Sequence, residues 1–357
     1  MPERPPPLLS GLTTLRVGGP ARELVHATTE SGLLDAVRRA DADGTPLLLL
    51  AGGSNLVVGD QGFAGTVVRV ETTGIDASGD DGGAVCGGVT VRVAAGEPWE
   101  PFVEHAVARG WVGVEALSGI PGSVGATPVQ NVGAYGQEVA DTIASVRTWD
   151  RVEGRQRTFA AADCGFGYRT SRFKQDPQRY VVIDVTFQLR TGHLSTPVRY
   201  AELARRLGIE TGARAPMTEV RAAVLELRRR KGMVLDAADH DTWSAGSFFT
   251  NPVLDPDSAA RLPEDAPRWT QADGTVKSSA AWLIERSGFG RGYGSSRAAL
   301  SDKHTLALTN RGGAGSEDLL DLAAEIQRGV RETYGVWLAI EPVLVGCALP
   351  VPEGSAG

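Results

Sequence analysis

With 357 residues, 42% hydrophobic and 22% charged, the chain has globular composition and length for two or three domains, which excludes disorder, collagen and coiled coil as descriptions of the whole. Forty-three acidic residues against 36 basic ones leave a net charge of −7, so neither nucleic acid nor an anionic membrane is expected as a partner. Cys86, Cys164 and Cys347 carry no metal-ligand spacing, and no apolar leader or bilayer-length stretch is visible, so a reducing cytoplasm is the expected location.

Residues 29–42 place Leu33, Leu34, Val37 and Ala40 at helical spacing, and Leu47 to Leu50 suit a strand buried on both faces, an α/β opening. Strand character resumes at 65–70, so the glycine-rich stretch Gly52-Gly53-Ser54-Asn55 lies between two strands. Gly, Asp, Thr and Ser crowd 72–88, a domain boundary, before Val89, Val91 and Val93 alternate. Pro98 opens a helix with the face Phe102, Val103, Ala106 and Val107, and Gly110 stops it. Strands follow at 144–150 and 181–189; in the second, Val181, Ile183, Val185, Phe187 and Leu189 are expected on one face, with Asp184, Thr186 and Gln188 on the other. Residues 191–217 show no sustained period and read as a link to a third unit, whose first helix runs from Thr218 as cap to about Lys231. Helices at 279–286 and, capped by Ser316, at 317–334 precede a strand over 336–345. No internal repeat is visible, and the tail after Leu349 reads as disordered.

Glycine, at 45 residues, is the compositional outlier, and its clusters point to tight turns and to backbone held close to a ligand. The densest cluster, 117–136, suits either a large phosphorylated cofactor or a purely structural loop; its Gly119, Gly122 and Gly125 do not form the Gly-x-Gly-x-x-Gly of a Rossmann turn. A strand, glycine turn and helix at 306–316 lack the third glycine and the acidic residue of that fingerprint, so a capped helix start explains them better. Arg169, Arg172 and Lys174 lie among aromatics, an arrangement that fits carboxylate or phosphate binding or a solvated turn. Ser247 has no neighbouring histidine and no Gly-x-Ser-x-Gly, which argues against a hydrolase. Glu341, the one ionisable residue of 336–345, precedes Pro342 and fits a site or the wet face of an edge strand. Arg228 to Lys231 closes a helix, where cations favour the negative dipole end. All four lysines, Lys174, Lys231, Lys277 and Lys303, fall in or beside these segments, against 32 arginines, which suggests a need for compact point charges there.

These segments, with Thr14-Leu15-Arg16-Val17-Gly18-Gly19-Pro20, the run 120–136, the stretches 168–174 and 246–252, Gln271-Ala272-Asp273-Gly274 and Glu341-Pro342, give the chain its resemblance to the UDP-N-acetylenolpyruvoylglucosamine reductases, flavoenzymes that complete UDP-N-acetylmuramic acid for peptidoglycan. It resembles the type with the longer substrate loop. The resemblance implies a mixed α/β and α+β architecture: a two-part FAD-binding fold of the vanillyl-alcohol-oxidase type at 1–72 and 73–215, a C-terminal α+β substrate-binding domain at 216–349, and the disordered tail 350–357. It assigns non-covalent FAD to Gly52, Gly53, Ser54, Asn55, Ser118, Gly119, Ile120, Pro121, Gly122, Gly125, Thr127, Gln130, Asn131, Gly133 and Ala134. It assigns catalysis to Arg169, Ser247 and Glu341, and substrate binding to Tyr168, Tyr200, Arg228, Lys231, Asn251, Gln271 and His304, with no metal. NADPH is the implied hydride donor, a UDP-sugar with an enolpyruvyl group the implied substrate, and a monomer the expected state.

An enol ether carrying a carboxylate accepts hydride at its terminal carbon, and the enolate that follows needs a fixed cation, a hydrogen bond and a proton. Arg169, a protonated Glu341 and Ser247 are the groups that the resemblance offers for these tasks. Trp269 departs from the pattern, since the longer-loop members place a tyrosine there, and 190–214 differs in length and composition, which bears on Tyr200. Another FAD-dependent oxidase on the same scaffold, or a non-catalytic sugar-nucleotide-binding module, are the alternatives.

Overall fold

The computed structural model describes residues 6–78 and 88–349; Cys86 and the tail 350–357, expected to be disordered, lie outside the described residues. Within them the chain forms two compact units. One comprises the chain up to Ala21, Gly53–Phe63 and everything from Leu235 onward; the other comprises Arg22–Gly52 and Ala64–Val234. The first segment of the chain is shared between the two units, and the helix Met217–Arg230 packs within the second.

In the unit of Arg22–Gly52 and Ala64–Val234, the strand Phe63–Val70 lies between Ala21–Ala27 and Leu47–Leu50, pairing with the latter in parallel. Leu47 and Leu50 are buried and Leu48 and Leu49 only partly so, a less enclosed strand than the four leucines suggest. Thr29 Oγ1 accepts the Gly32 N–H and starts the helix Glu30–Ala42, whose Leu33, Val37 and Ala40 close over this sheet. A larger antiparallel sheet runs in the order Arg155–Ala160, Ile143–Asp150, Tyr180–Thr191, Val89–Ala94, Ile75–Ser78.

The strand Tyr180–Thr191 corrects the expected single apolar face. Its register against Ile143–Asp150 slips between Arg147↔Asp184 and Thr148↔Val182, so one residue is extra and the alternation inverts there. Val181 and Ile183 therefore join the core under the helix Glu30–Ala42, while Tyr180, Val182, Val185, Phe187 and Leu189 join the other core, on the opposite face. That second core receives the helix Trp99–Ala108, through Trp99, Phe102 and Phe187 at centroid separations of 5.6, 6.2 and 5.2 Å.

The segment expected to be a featureless link holds a helix, Ala201–Leu207, closed by Gly208 in the left-handed conformation. At seven residues it is too short to show a period; Leu203 and Ala204 are buried by packing against Val220, Ala223 and Val224 of the helix Met217–Arg230. That helix starts after Pro216, one residue before the expected cap Thr218.

The other unit centres on the helix Ser316–Tyr334, whose Leu319, Leu320, Ala323, Ile326 and Val330 pack with Leu283 and Ile284 of the helix Ala280–Arg286 and with Leu15, Phe248 and Phe249. Its N-cap is Gly315 rather than Ser316: Asp318 accepts the Gly315 N–H, and the Ser316 Oγ instead accepts from Asp60 N. The strand expected over 336–345 shrinks to Val343–Val345, parallel to Leu56–Val58, with an isolated bridge from Ile340 to Phe249 before it. Pro342 has no N–H to extend a ladder. Glu341 is thus not on the wet face of an edge strand.

Candidate active site

The glycine-rich run of 118–134 is suspended from the start of the helix Trp99–Ala108. Trp99 donates its backbone N–H to Gly122 O (3.1 Å) and its indole Nε1 to Leu117 O (3.0 Å). Ser118 is buried with its Oγ on Glu115 O (2.8 Å), Gly119 N–H donates to the Glu100 carboxylate, Ile120 packs on the core, and Thr127 Oγ1 bonds Val124 O (2.8 Å). A Cβ on Gly52 would lie 2.7 Å from Gly122 Cα, so two glycine turns approach backbone to backbone. Ser123 Oγ is buried in this run without a hydrogen-bond partner among the described residues. Pro121 and Gln130 continue the same run, and Gly133 and Ala134 pair with Gln137 and Glu138 in a short hairpin.

Arg169 occupies a two-residue turn closed by reciprocal backbone bonds between Gly167 and Thr170 (3.1 and 3.3 Å). Its φ of +53° is left-handed, a conformation costing a residue with a side chain about 1–2 kcal/mol, so the surroundings must hold it. Nη2 donates to Gly133 O (2.9 Å), Lys174 Nζ donates to Arg169 O (3.0 Å), and the guanidinium carbon lies 5.6 Å from the ring of the exposed Tyr168. Asn131 and Tyr135 are also left-handed, at +46° and +50°. Three such residues within this short run and its neighbouring turn mark a region shaped against local preference.

Beside them, Tyr200, Arg228 and Lys231 come together around Tyr135, which sequence reasoning passed over as one more residue of the motif. The Tyr135 and Tyr200 rings meet edge to face at 5.4 Å, and Lys231 Nζ sits 5.9 Å from the Tyr135 ring while binding Glu202 at 2.7 Å. Arg228 is buried, bonds Met233 O (2.9 Å) and forms no ion pair among the described residues; its Nε has no partner. Burial pulls its pKa down and pushes the Tyr135 phenol up to about 12, where the nearby Arg228 charge only partly offsets desolvation. No local pattern announces Tyr135 as part of this group, since its neighbours arrive from the helices Ala201–Leu207 and Met217–Arg230.

In the unit containing the C-terminal region, Gly53 turns with φ +60°, and a Cβ there would sit 2.0 Å from Leu12 O. Thr14 accepts that turn by giving its N–H to Gly53 O (3.1 Å), and its Oγ1 bonds Ser244 O (2.7 Å). Ser54 follows, and Asn55 Nδ2 donates to Glu341 O (3.3 Å) while Asn55 O accepts from Val343 N (2.9 Å). Glu341 N–H donates to Phe248 O (2.9 Å), and Phe248 N–H to Leu306 O (2.7 Å), so Asn55, Ser247 and Glu341 become neighbours across 286 positions of chain. Asn251 Oδ1 caps the helix Ala280–Arg286 through Ala280 N (3.0 Å), Gln271 folds its side chain onto Trp269 O (2.8 Å) in a hairpin turn, and His304 lies in the loop before Leu308–Asn310. Trp269 is half exposed. No cluster of metal-ligating residues occurs among the described residues.

A family model described as UDP-N-acetylenolpyruvoylglucosamine reductase, C-terminal domain, matches residues 238–345, and one described as FAD binding domain matches 21–160. The UDP-N-acetylenolpyruvoylglucosamine reductase of Cutibacterium acnes is 58% identical over 344 residues, covering 96% of this chain and 90% of the relative; that of Salinispora arenicola is 56% identical over 350 residues, covering 96% and 95%. The crystal structure of the enzyme of the same name from Thermus caldophilus superposes with a TM-score of 0.63 at 27% identity, over 95% of this chain and 97% of that one. The flavin-binding part and the C-terminal α+β domain expected from the sequence are both present. The chain belongs to the UDP-N-acetylenolpyruvoylglucosamine reductase family.

Proposed function

We propose that the protein is an FAD-containing, NADPH-dependent UDP-N-acetylmuramate dehydrogenase, which reduces the enolpyruvyl ether of UDP-N-acetylglucosamine-enolpyruvate to UDP-N-acetylmuramate for peptidoglycan synthesis. The observation that carries this reading is the match to its relatives at 58% identity over 96% of the chain, through the flavin-binding and C-terminal regions alike. The residues present suit a flavin dinucleotide. A side chain at Gly52 would run into the backbone of Gly122, and the buried Ser123 Oγ has a hydrogen bond to give. Gly52, Gly53, Ser54 and Asn55, with the run from Ser118 to Ala134, are the segments we assign to it. The chemistry FAD supplies when bound is hydride storage, filled by NADPH and released to an electron-poor carbon.

The chain's own residues supply the rest. Arg169 offers a guanidinium fixed by Gly133 O, suited to a substrate carboxylate and to the charge that grows beside it as the enolate forms. Ser247 delivers a proton to the carbon next to that carboxylate, and Glu341, protonated, donates a hydrogen bond to the developing oxyanion. Tyr135, Tyr200, Arg228 and Lys231 gather two cations with phenolic rings, and the partnerless Arg228 Nε is the kind of buried donor that a diphosphate oxygen would satisfy. We assign Tyr168, Asn251, Gln271 and His304 to the substrate as well, in a chain acting as a monomer in the cytoplasm; no helix among the described residues is long and apolar enough to cross a membrane.

Purified protein tests the reading directly. It is expected to be yellow, to consume NADPH only when the enolpyruvyl sugar nucleotide is present, and to give a product two hydrogens heavier. Colourless protein that takes up no flavin, or NADPH consumption indifferent to that substrate, overturns it.

A further inference from the structure

Three hydrogen bonds, spaced two residues apart, stitch the segment 129–133 to the Arg169 turn. Ser171 Oγ donates to Val129 O (2.6 Å), Asn131 Nδ2 to Gly167 O (3.1 Å) and Arg169 Nη2 to Gly133 O (2.9 Å). The middle link belongs to Asn131, which is 1% exposed and whose amide is almost wholly committed inside the protein. Its Nδ2 also donates to Glu138 Oε2 (2.7 Å), and its Oδ1 accepts from Ala140 N (3.2 Å). The carboxylate of Glu138, which also accepts the Asp141 N–H, can only accept and so fixes which end of the Asn131 amide faces Gly167. Glu138 in turn pairs with Gly133, whose carbonyl receives the guanidinium.

We propose that Glu138 and Asn131 are positioning residues for the reduction, a clamp that keeps the Arg169 turn left-handed and its guanidinium on the Gly133 carbonyl. Glu138 orients the amide, the amide holds the carbonyl at the entrance of the turn, and the short hairpin sets the acceptor for the guanidinium. The resemblance assigns Asn131 to the cofactor-binding run; its amide bonds within the protein tie the same residue to the Arg169 turn. The inference rests on the role proposed above for Arg169.

The test compares Glu138→Ala with Glu138→Gln in the flavin-loaded full chain, by stopped-flow absorbance of the two half-reactions. A cation displaced by about 1 Å costs on the order of 10²-fold in rate, so Glu138→Ala is expected to slow reoxidation by saturating enolpyruvyl sugar nucleotide by about that factor. Flavin reduction by NADPH, which makes no demand on the guanidinium, should change by less than about twofold. Glu138→Gln keeps an acceptor for Asn131 and should return reoxidation to within about threefold of the parent. Equal slowing of both half-reactions, or a glutamine variant as impaired as the alanine one, overturns the clamp. If Glu138→Ala fails to retain flavin, Glu138→Asp, which draws the acceptor back from the Asn131 amide by one methylene, carries the same expectation. A parent enzyme that the sugar nucleotide fails to reoxidise sinks the proposed function, whereas a competent parent matched by Glu138→Ala sinks the clamp alone.

Discussion

Arg169 and the pair Ser247 and Glu341 belong to different compact units and are anchored differently. Around Arg169 the side chains do the anchoring: the guanidinium bonds Gly133 O, Lys174 Nζ bonds the Arg169 carbonyl, and Asn131 bonds the turn from outside, all against an unfavourable φ. Ser247 and Glu341 are brought together through main chain, by Glu341 N–H on Phe248 O and Phe248 N–H on Leu306 O, with Asn55 reading only the Glu341 carbonyl. A charge that stabilises a transition state gains from rigid placement, because reorganising it during the reaction would waste its field. A group that hands over a proton must have its side chain available, so pinning its backbone is the economical solution.

That contrast can be broken by four measurements. The largest effect is expected from Ser247→Ala, which should slow flavin reoxidation by substrate by about 10²–10⁴-fold while leaving reduction by NADPH nearly intact; stopped-flow traces showing equal loss in both halves would remove Ser247 from proton delivery. Arg169→Gly should slow reoxidation by about 10²–10³-fold. Because glycine accepts φ +53° without strain, thermal unfolding should show stability retained to within about 1 kcal/mol; a large stability loss would mean that the turn serves the fold more than the chemistry. Glu341→Gln keeps its backbone bridge and a weaker donor, so reoxidation is expected to fall by about tenfold with flavin content unchanged, and an unaltered rate would return Glu341 to a structural place.

The smallest effect concerns the sheet of the Arg169 unit. The Asp150 carboxylate, fully buried, is held below the usual carboxylate range chiefly by its hydrogen bonds with Arg179, and it also accepts from Val152 and Glu153 N–H. A folded-state pKa lowered in this way adds stability above the unfolded value of about 4, and the contribution disappears as pH falls through the folded value. Asp150→Asn should lower the melting temperature at pH 7 by about 3 °C and flatten the acid side of its pH profile; an unchanged acid limb would mean that other carboxylates govern it.

Much of the scaffold was legible in the chain. The helix Glu30–Ala42 announced itself by Thr29 and a clean apolar period, Ala280–Arg286 by Ser279 before it, and Ser316–Tyr334 by the acids of its first turn and Gly335 after its end, although its cap is Gly315 rather than Ser316. The failures share a cause. The bulge in Tyr180–Thr191 that sends Val181 and Ile183 to the opposite core depends on a register shift against another strand, the helix Ala201–Leu207 depends on its partner helix, and the strand ending at Val345 depends on what Phe249 and Leu56–Val58 offer it.

The same division runs through the site. Motif order, through the resemblance it carries, nominated the glycine turns, Arg169, Ser247 and Glu341, because motifs are local properties of the chain. That Tyr135 gathers Tyr200, Arg228 and Lys231, that Asn131 spends its amide on the turn before Arg169, and that Asn55 meets Glu341 were decided only by tertiary structure. Hydrogen bonds and burial between residues up to 286 positions apart have no periodicity to betray them; they exist only once loop closure has brought the segments together.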